Sequence, residues 1–473
     1  MKQFRLHRQG ACGQAMVWFM ATIAATMAVL YGVYNVGQVT SAKQKVVNAT
    51  DAGALAGATQ QARLLNLMAY GNRAMVVSDA MAGQLVSLDS WMRYLQTTTQ
   101  NVSHVSRLIP WVGQVLGTVL QTISRTLNRV EDGFGDRVLP AAIRGLERLK
   151  GLVSVVNESI SRVGNGLASQ AASAVVASNQ TVFGTPARTD QAPQQINLAL
   201  SGASFIQNQL AWTNFSKRHS GADRGRAKQV VLDSMDQFST GTERSWQRGS
   251  GTWGPRLEKR GGTRLVGFDR WEAQDALDFR LPLGWFGVLK IPVGWGRTDL
   301  GGGGNLRWGG TNAQTLAFGS LRNVHANWSG VSEIRDLSDA ARTEPELSFL
   351  LITAKPGSAT PTTGSMGIAA QASPSVMGSA QMNDHLRSDQ VSAISTAKVY
   401  FERPQRGLGD WTADAWRGNS TLFREDAYKE YASLYNPFWQ ARLSALDPSA
   451  KGAILLAMGW SAEAAEALDG LLP

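Results

Sequence analysis

The chain has 473 residues, 46 Lys and Arg against 36 Asp and Glu, a net charge of +10 and a single cysteine. Charged residues make up only 17% and glycines number 49, which argues against a compact, charged enzyme and for Ala/Gly/Ser-rich surfaces and loops around an anchor and one to three domains. The lone Cys12 excludes an intramolecular disulfide. The basic excess is scattered, so it reads as a solvated basic surface suited to anionic lipid or cell-wall polymer; nucleic acid is not expected as a partner.

Residues 1–13 read as a short cytoplasmic leader carrying Lys2, Arg5 and Arg8 and no acidic residue. Residues 14–37 follow as a transmembrane helix. The 22 residues Ala15–Val36 hold no charge and no proline. At helical rise they span roughly 33 Å, against about 30 Å for the hydrocarbon core of a bilayer. Positive flanks stay inside, so the N-terminus is expected in the cytoplasm and the bulk outside, in the periplasm for a bacterial chain. A cleaved secretory signal fits less well, because its apolar region runs to only about 7–15 residues. The first small-residue cluster, Ala52–Ala58, also lies well past the span.

The helical pattern leaves the span unbroken and reaches Asn48-Ala49-Thr50-Asp51-Ala52-Gly53-Ala54-Leu55-Ala56-Gly57-Ala58. On a helix, Ala49, Ala52, Gly53, Ala56 and Gly57 recur at three and four, forming one flat stripe that another helix can approach closely. With the basic lead and Gly13-Gln14-Ala15-Met16-Val17, this block resembles the TadE/TadG-like family of Tad (Flp, type IVb) pilus-assembly proteins over about residues 9–60. A weaker echo lies near 397–443, in Ala397–Pro404 and Leu434–Leu443. The resemblance implies a membrane-anchored, non-enzymatic assembly component, pseudopilin-like or minor-pilin-like, whose partners are other pilus subunits and which needs no cofactor. It makes the stripe a candidate partner contact and Gly13/Gln14 a candidate leader-processing site. Prepilins of this class carry Glu at the fifth mature position; here that position is Trp18, followed by Phe19, so little processing is expected. Longer family members often carry an Asp-x-Ser-x-Ser metal motif. Asp336-Leu337-Ser338 continues Asp339-Ala340 and Asp447-Pro448-Ser449 continues Ala450-Lys451, so both fail at the second Ser.

Beyond the span, residues 38–180 read as a helical stalk or hairpin. One near-continuous helix extends to about 105, with apolar positions Leu64, Leu67, Met68, Met75, Leu85, Leu88, Trp91, Met92 and Leu95. Two more helices carry amphipathic stripes, one on Val115, Val119, Ile123, Leu127 and Val130, the other on Ile143, Leu146, Leu149, Leu152, Val156, Ile160 and Val163. A gap near Asp132–Pro140 separates them, and such pairs pack as a hairpin. Residues 181–194 form a linker, and 195–473 a Gly/Trp-rich, mixed or β-rich periplasmic region, so the fold class is α+β. Helices are expected over Gln195–Phe215, Val230–Phe238 and Ala450–Leu472. Strands are expected at Thr263–Phe268, Trp285–Val293, Glu346–Ala354, Val391–Phe401 and Pro437–Ala445, with a loose loop at 357–381.

The search for chemistry finds little. His7, His104, His219, His325 and His385 stand far apart, without the spacing of a zinc site. Gly249-Ser250-Gly251-Thr252-Trp253-Gly254 matches the dinucleotide fingerprint by letters but lacks an apolar strand before it and a helix opening after it. Residues 217–330 hold 17 Lys and Arg against 10 Asp and Glu, and seven of the 15 tryptophans lie between Trp246 and Trp328. The plainer reading is that these tryptophans fill a β-rich core. The alternative is an envelope-anchored binding protein that holds cell-wall glycan or anionic polymer by stacking and cation–π contact.

Overall fold

The computed structural model describes residues 14–106, 112–182, 198–219, 224–250, 254–302, 311–356, 390–403 and 431–446. Its spine is α1, Gln14–Ser106, a single helix of 93 residues. Helix α2 (Val112–Gly133) leads through a π-helical turn, Phe134–Val138, directly into α3 (Leu139–Val182). The expected gap at Asp132–Pro140 is therefore absent: the rod is continuous, and it pairs antiparallel with α1 instead of folding back on itself. The physical reason lies in the π turn. Leu139 N–H reaches back to the Phe134 carbonyl, and Pro140, with no N–H to give, falls where the ladder reverts to its usual rung.

Helix α4 (Leu198–Phe215) packs on α3, with its Trp212 ring over Gly164 and its indole N–H donated to the Ser161 carbonyl at 3.1 Å. A short strand β1 (Ser216–Arg218) pairs antiparallel with β7 (Arg335–Leu337). Helices α5 (Gly225–Asp233) and α6 (Gln237–Thr240) precede a five-stranded sheet. Its order is β2 (Trp246–Gly249), β3 (Arg256–Val266), β4 (Arg270–Pro282), β5 (Val288–Gly301) and β6 (Arg322–Asn323), antiparallel except for the β5–β6 pair. Helix α7 (Asn312–Gly319) bridges β5 to β6, and α8 (Asp339–Thr343) follows β7. A second sheet of three antiparallel strands has the order β10 (Trp439–Ser444), β9 (Gln390–Phe401), β8 (Leu347–Pro356). The class is thus α+β, a long N-terminal helix with β-sheets in the C-terminal region. The loop at 357–381 and the helix at Ala450–Leu472 lie outside the described residues.

Both sheets lean on α1, and each closes its own core. Along the first half of the body, Ala54, Ala58, Leu65 and Met68 pack with Ala168 and Ala172 of α3, Trp212 and Phe215 of α4, and Phe349, Ala397, Val399 and Trp439 of the three-stranded sheet. Farther along, Met75, Val76, Ala80 and Val86 pack with Leu139, Ile143, Trp271, Leu300 and Trp328. Of the tryptophans between 246 and 328, Trp271 and Trp328 are therefore core, while Trp246 and Trp285 are exposed.

The apolar stripes divide between core and surface. On α1, Leu64, Met68 and Met75 are buried while Leu67 is exposed, and many small and polar residues share the interior line. On the α2–α3 rod, Val119, Ile123, Val130, Leu149, Leu152, Val156 and Val163 face outward, while Ile143 and Ile160 face the core.

Candidate functional site

The small-residue block of α1 lies where the exposed apolar segment gives way to the folded body. From Met16 to Val36 nearly every large apolar side chain is exposed, and the most apolar 18-residue window has no buried part. From Ala42 onward the helix is progressively covered: Ala42, Val46, Ala49 and Thr50 are buried. Within the stripe, Ala49, Gly53 and Gly57 are buried, and Ala52 and Ala56 are half-buried on its flank. Gly53 lies under Val176 and Ala172 of α3 and Leu351 of β8; Gly57 lies flat against the Phe349 ring of β8. A Cβ at either glycine would overlap those atoms, so the two glycines let a helix and a strand press onto α1 together. Thr50 and Thr353 hydroxyls meet at 2.5 Å beside them. Much of the stripe is therefore seated against the chain's own α3 and β8. Gly13 lies outside the described residues, and Gln14 opens α1.

Below the stripe, α1 presents polar side chains inward, each gripping a later part of the chain. Asn66 exchanges two 3.0 Å hydrogen bonds with the Trp439 backbone, donating to its carbonyl and accepting from its N–H. Asn72 donates to the Arg335 and Leu434 carbonyls, each at 2.7 Å, and accepts from Asn157 of α3. Asp79 meets Lys150 of α3 at 2.6 Å and accepts the Ser332 N–H at 2.9 Å. Burial pushes the Asp79 carboxyl above the usual carboxylate range, and Lys150 pulls it back down.

Two ionic clusters fix the five-stranded sheet to the same helix. Asp275 of β4 collects Arg244 at 2.6 Å, Lys259 at 2.5 Å and the Ser90 hydroxyl at 2.8 Å. Burial lowers both the Arg244 and Lys259 values, while Asp275 opposes the change. Asp89 accepts from the Thr298 hydroxyl at 2.6 Å and from Arg322 at 3.1 Å. Arg322 lies against Gly135 of the π turn and also pairs with Glu131 at 2.6 Å and Asp136 at 3.3 Å. Burial raises both Asp89 and Glu131. Four of the 46 basic residues, Lys150, Arg244, Lys259 and Arg297, are interior and paired with carboxylates rather than solvated.

Residues 13–60 match the model of the Putative Flp pilus-assembly TadE/G-like family. The matched stretch is the one whose residues carry the resemblance, and it holds the exposed apolar helix and the whole stripe. No curated protein and no solved structure matches the chain. The weaker echo near 397–443 falls partly on β9 and β10, which pair antiparallel from Trp439 opposite Phe401 to Ser444 opposite Thr396. The letters resembling a dinucleotide fingerprint begin on edge strand β2, which returns antiparallel into β3 and not into a helix. Asp336, which opens the incomplete metal motif, accepts the Leu434 N–H at 2.9 Å and pairs with Arg226 at 3.3 Å.

The inward polar line on α1 was missed by sequence reasoning. Asn72, Asp79, Asp89 and Ser90 are fully covered, yet in sequence they look like the wet face of an amphipathic helix. The available signal was their proximity to small residues such as Ala69, Ala80, Ala82 and Gly83, which let backbone from elsewhere come close.

Proposed function

We propose that this chain is a membrane-anchored, non-enzymatic component of Flp pilus assembly in the bacterial inner membrane. Its N-terminus lies in the cytoplasm, its C-terminal bulk in the periplasm, and it acts through contacts with other pilus subunits. The observation that carries this reading is the family match over 13–60 on a helix that is apolar and exposed at one end and the spine of the folded body at the other. A 22-residue uncharged stretch has the length a bilayer requires. The division into leader, span, helical stalk, linker and periplasmic region is part of the same proposal.

Contacts with other subunits have two candidate surfaces. One is the flank of the stripe at Ala52 and Ala56, half-buried and free of bulk. The other is the outward apolar line of α3, where Leu149, Leu152, Val156 and Val163 stand at three-, four- and seven-residue spacings in the manner of a helix-packing seam. Deleting the gene is expected to abolish or sharply reduce surface pili counted by electron microscopy, and the full chain supplied in trans restores them. Normal pilus numbers in the deletion strain would refute the assignment.

A further inference from the structure

Among the described residues outside the N-terminal apolar segment, the tip of the β4–β5 hairpin is the most exposed apolar feature. Trp285 is 98% and Phe286 90% exposed, and Leu283 and Val288 beside them are also exposed. The turn is well formed: Leu283 N–H donates to the Gly287 carbonyl at 2.8 Å, and Gly287 takes a φ of +94°, which favours glycine. Aromatics held outward on an ordered turn are not the residue of a poorly packed core.

Strand register sorts the side chains behind the tip. Leu281 pairs with Leu289 and Phe279 with Ile291, giving one apolar face. On the other face Arg256, Arg280 and Lys290 stand side by side across β3, β4 and β5. Glu258 pairs with Arg280 at 2.5 Å and with Arg260 at 2.6 Å, and Asp278 stands opposite Glu258, so two carboxylates share this face with Arg256, Arg260, Arg280 and Lys290 and the balance stays basic. The basic row is set back from Trp285 by a few strand residues, roughly 10–15 Å. An interfacial segment buries apolar groups about 5–10 Å deep and holds its cations at headgroup level, where tryptophan is also favoured.

We propose that this hairpin binds the surface of an anionic lipid bilayer, inserting Trp285 and Phe286 with Arg256 and Lys290 toward the phosphates, while Arg280 stays bridged to Glu258 behind them. A convex apolar tip with cations behind it suits a fluid that closes around it better than a flat protein patch. The position along the spine adds a consequence. Asn101 of α1 donates to the Val293 carbonyl, and Gly296 lies against Ser90, so β5 carries the tip toward the end of α1 remote from the span. Asn101 stands roughly 100 Å from Val36 along the helix. If α1 is anchored as proposed above, the lipid met by the hairpin belongs to a second membrane; the lipid affinity itself rests on the hairpin alone.

The test is flotation of the purified full chain, held in a phosphatidylcholine nanodisc, with added vesicles. Vesicles containing phosphatidylglycerol should carry it upward and pure phosphatidylcholine vesicles should not. Trp285→Ser with Phe286→Ser should reduce flotation at least about tenfold at unchanged melting temperature, since both side chains are exposed. Arg256→Gln with Lys290→Gln should remove the preference for anionic lipid. Should the chain stay soluble without a disc, the anchor reading fails and the same flotation is run on it directly. No flotation with anionic vesicles, or equal flotation of the double aromatic variant, overturns the proposal. So does self-association by sedimentation that the aromatic variant abolishes while parent flotation is absent, which would assign the tip to a second copy.

Discussion

Gly57 illustrates how closely the chain packs at the level of single residues. The Phe349 ring occupies the space a side chain would need. A leucine there gains about 1 kcal/mol of helix propensity but overpacks a tight contact at about 1–3 kcal/mol or more. Gly57→Leu is therefore expected to lower the melting temperature, whereas Ala52→Leu with Ala56→Leu, on the half-buried flank, should fold and accumulate yet fail to restore pili in a deletion strain. Full complementation by the flank variant would show that this edge meets no essential partner. Asp79 makes a second case. Removing one member of its buried pair leaves Lys150 uncompensated, a cost of about 3–5 kcal/mol. Denaturant melts should show Asp79→Ala well below the parent, and Asp79→Leu with Lys150→Met recovering much of the loss. Recovery stays incomplete because the Ser332 N–H and Gly330 carbonyl lose their partners. If the single and double variants are equally unstable, the charge pair is not what Asp79 contributes.

At the scale of elements, Glu346 ties together two strands of the small sheet, meeting Lys398 of β9 at 2.9 Å and Arg442 of β10 at 3.0 Å. The hydrogen bond from Lys398 holds its carboxyl below the ordinary 4.5. A value depressed in the folded state stabilises above about pH 4.5 and is lost as pH falls through the lowered value. Thermal melts of Glu346→Gln should thus fall less steeply than those of the parent as pH drops from about 6 to 3; parallel curves would mean the pairs carry no linkage. Many elements were legible in the sequence for physical reasons. The long helix, α4, β8 and β9 have unbroken patterns and little competing Gly or Pro. The π turn was not legible, because Gly133, Gly135 and Pro140 are helix breakers unless a partner holds them, and that partner is Arg322, nearly two hundred residues away. Nor was the outward face of α2: its valines are periodic, but periodicity does not say which side is wet. The stripe was legible as a surface needing a close neighbour. That α3 and β8 of the same chain fill much of it depended on contacts beyond the reach of any local pattern.

Across the whole molecule, α1 links a segment suited to lipid with two sheets and an antiparallel rod. Its N-terminal end is apolar and exposed on all sides, a helix with no polar face to turn toward water. Its other half is held by amides, carboxylates and hydroxyls that reach β4, β5, β10 and α3, so the body cannot shift along the spine without breaking buried polar contacts. The outward line from Leu149 to Val163 then sits at a fixed distance from the exposed apolar segment, as the proposed docking on neighbouring subunits requires. All of this depends on α1 entering the bilayer with the body on the far side. A reporter enzyme fused after Pro473 tests it most directly: a marker active only outside the cytoplasm should give full activity, and activity of a cytoplasm-only marker at the same position would contradict the account.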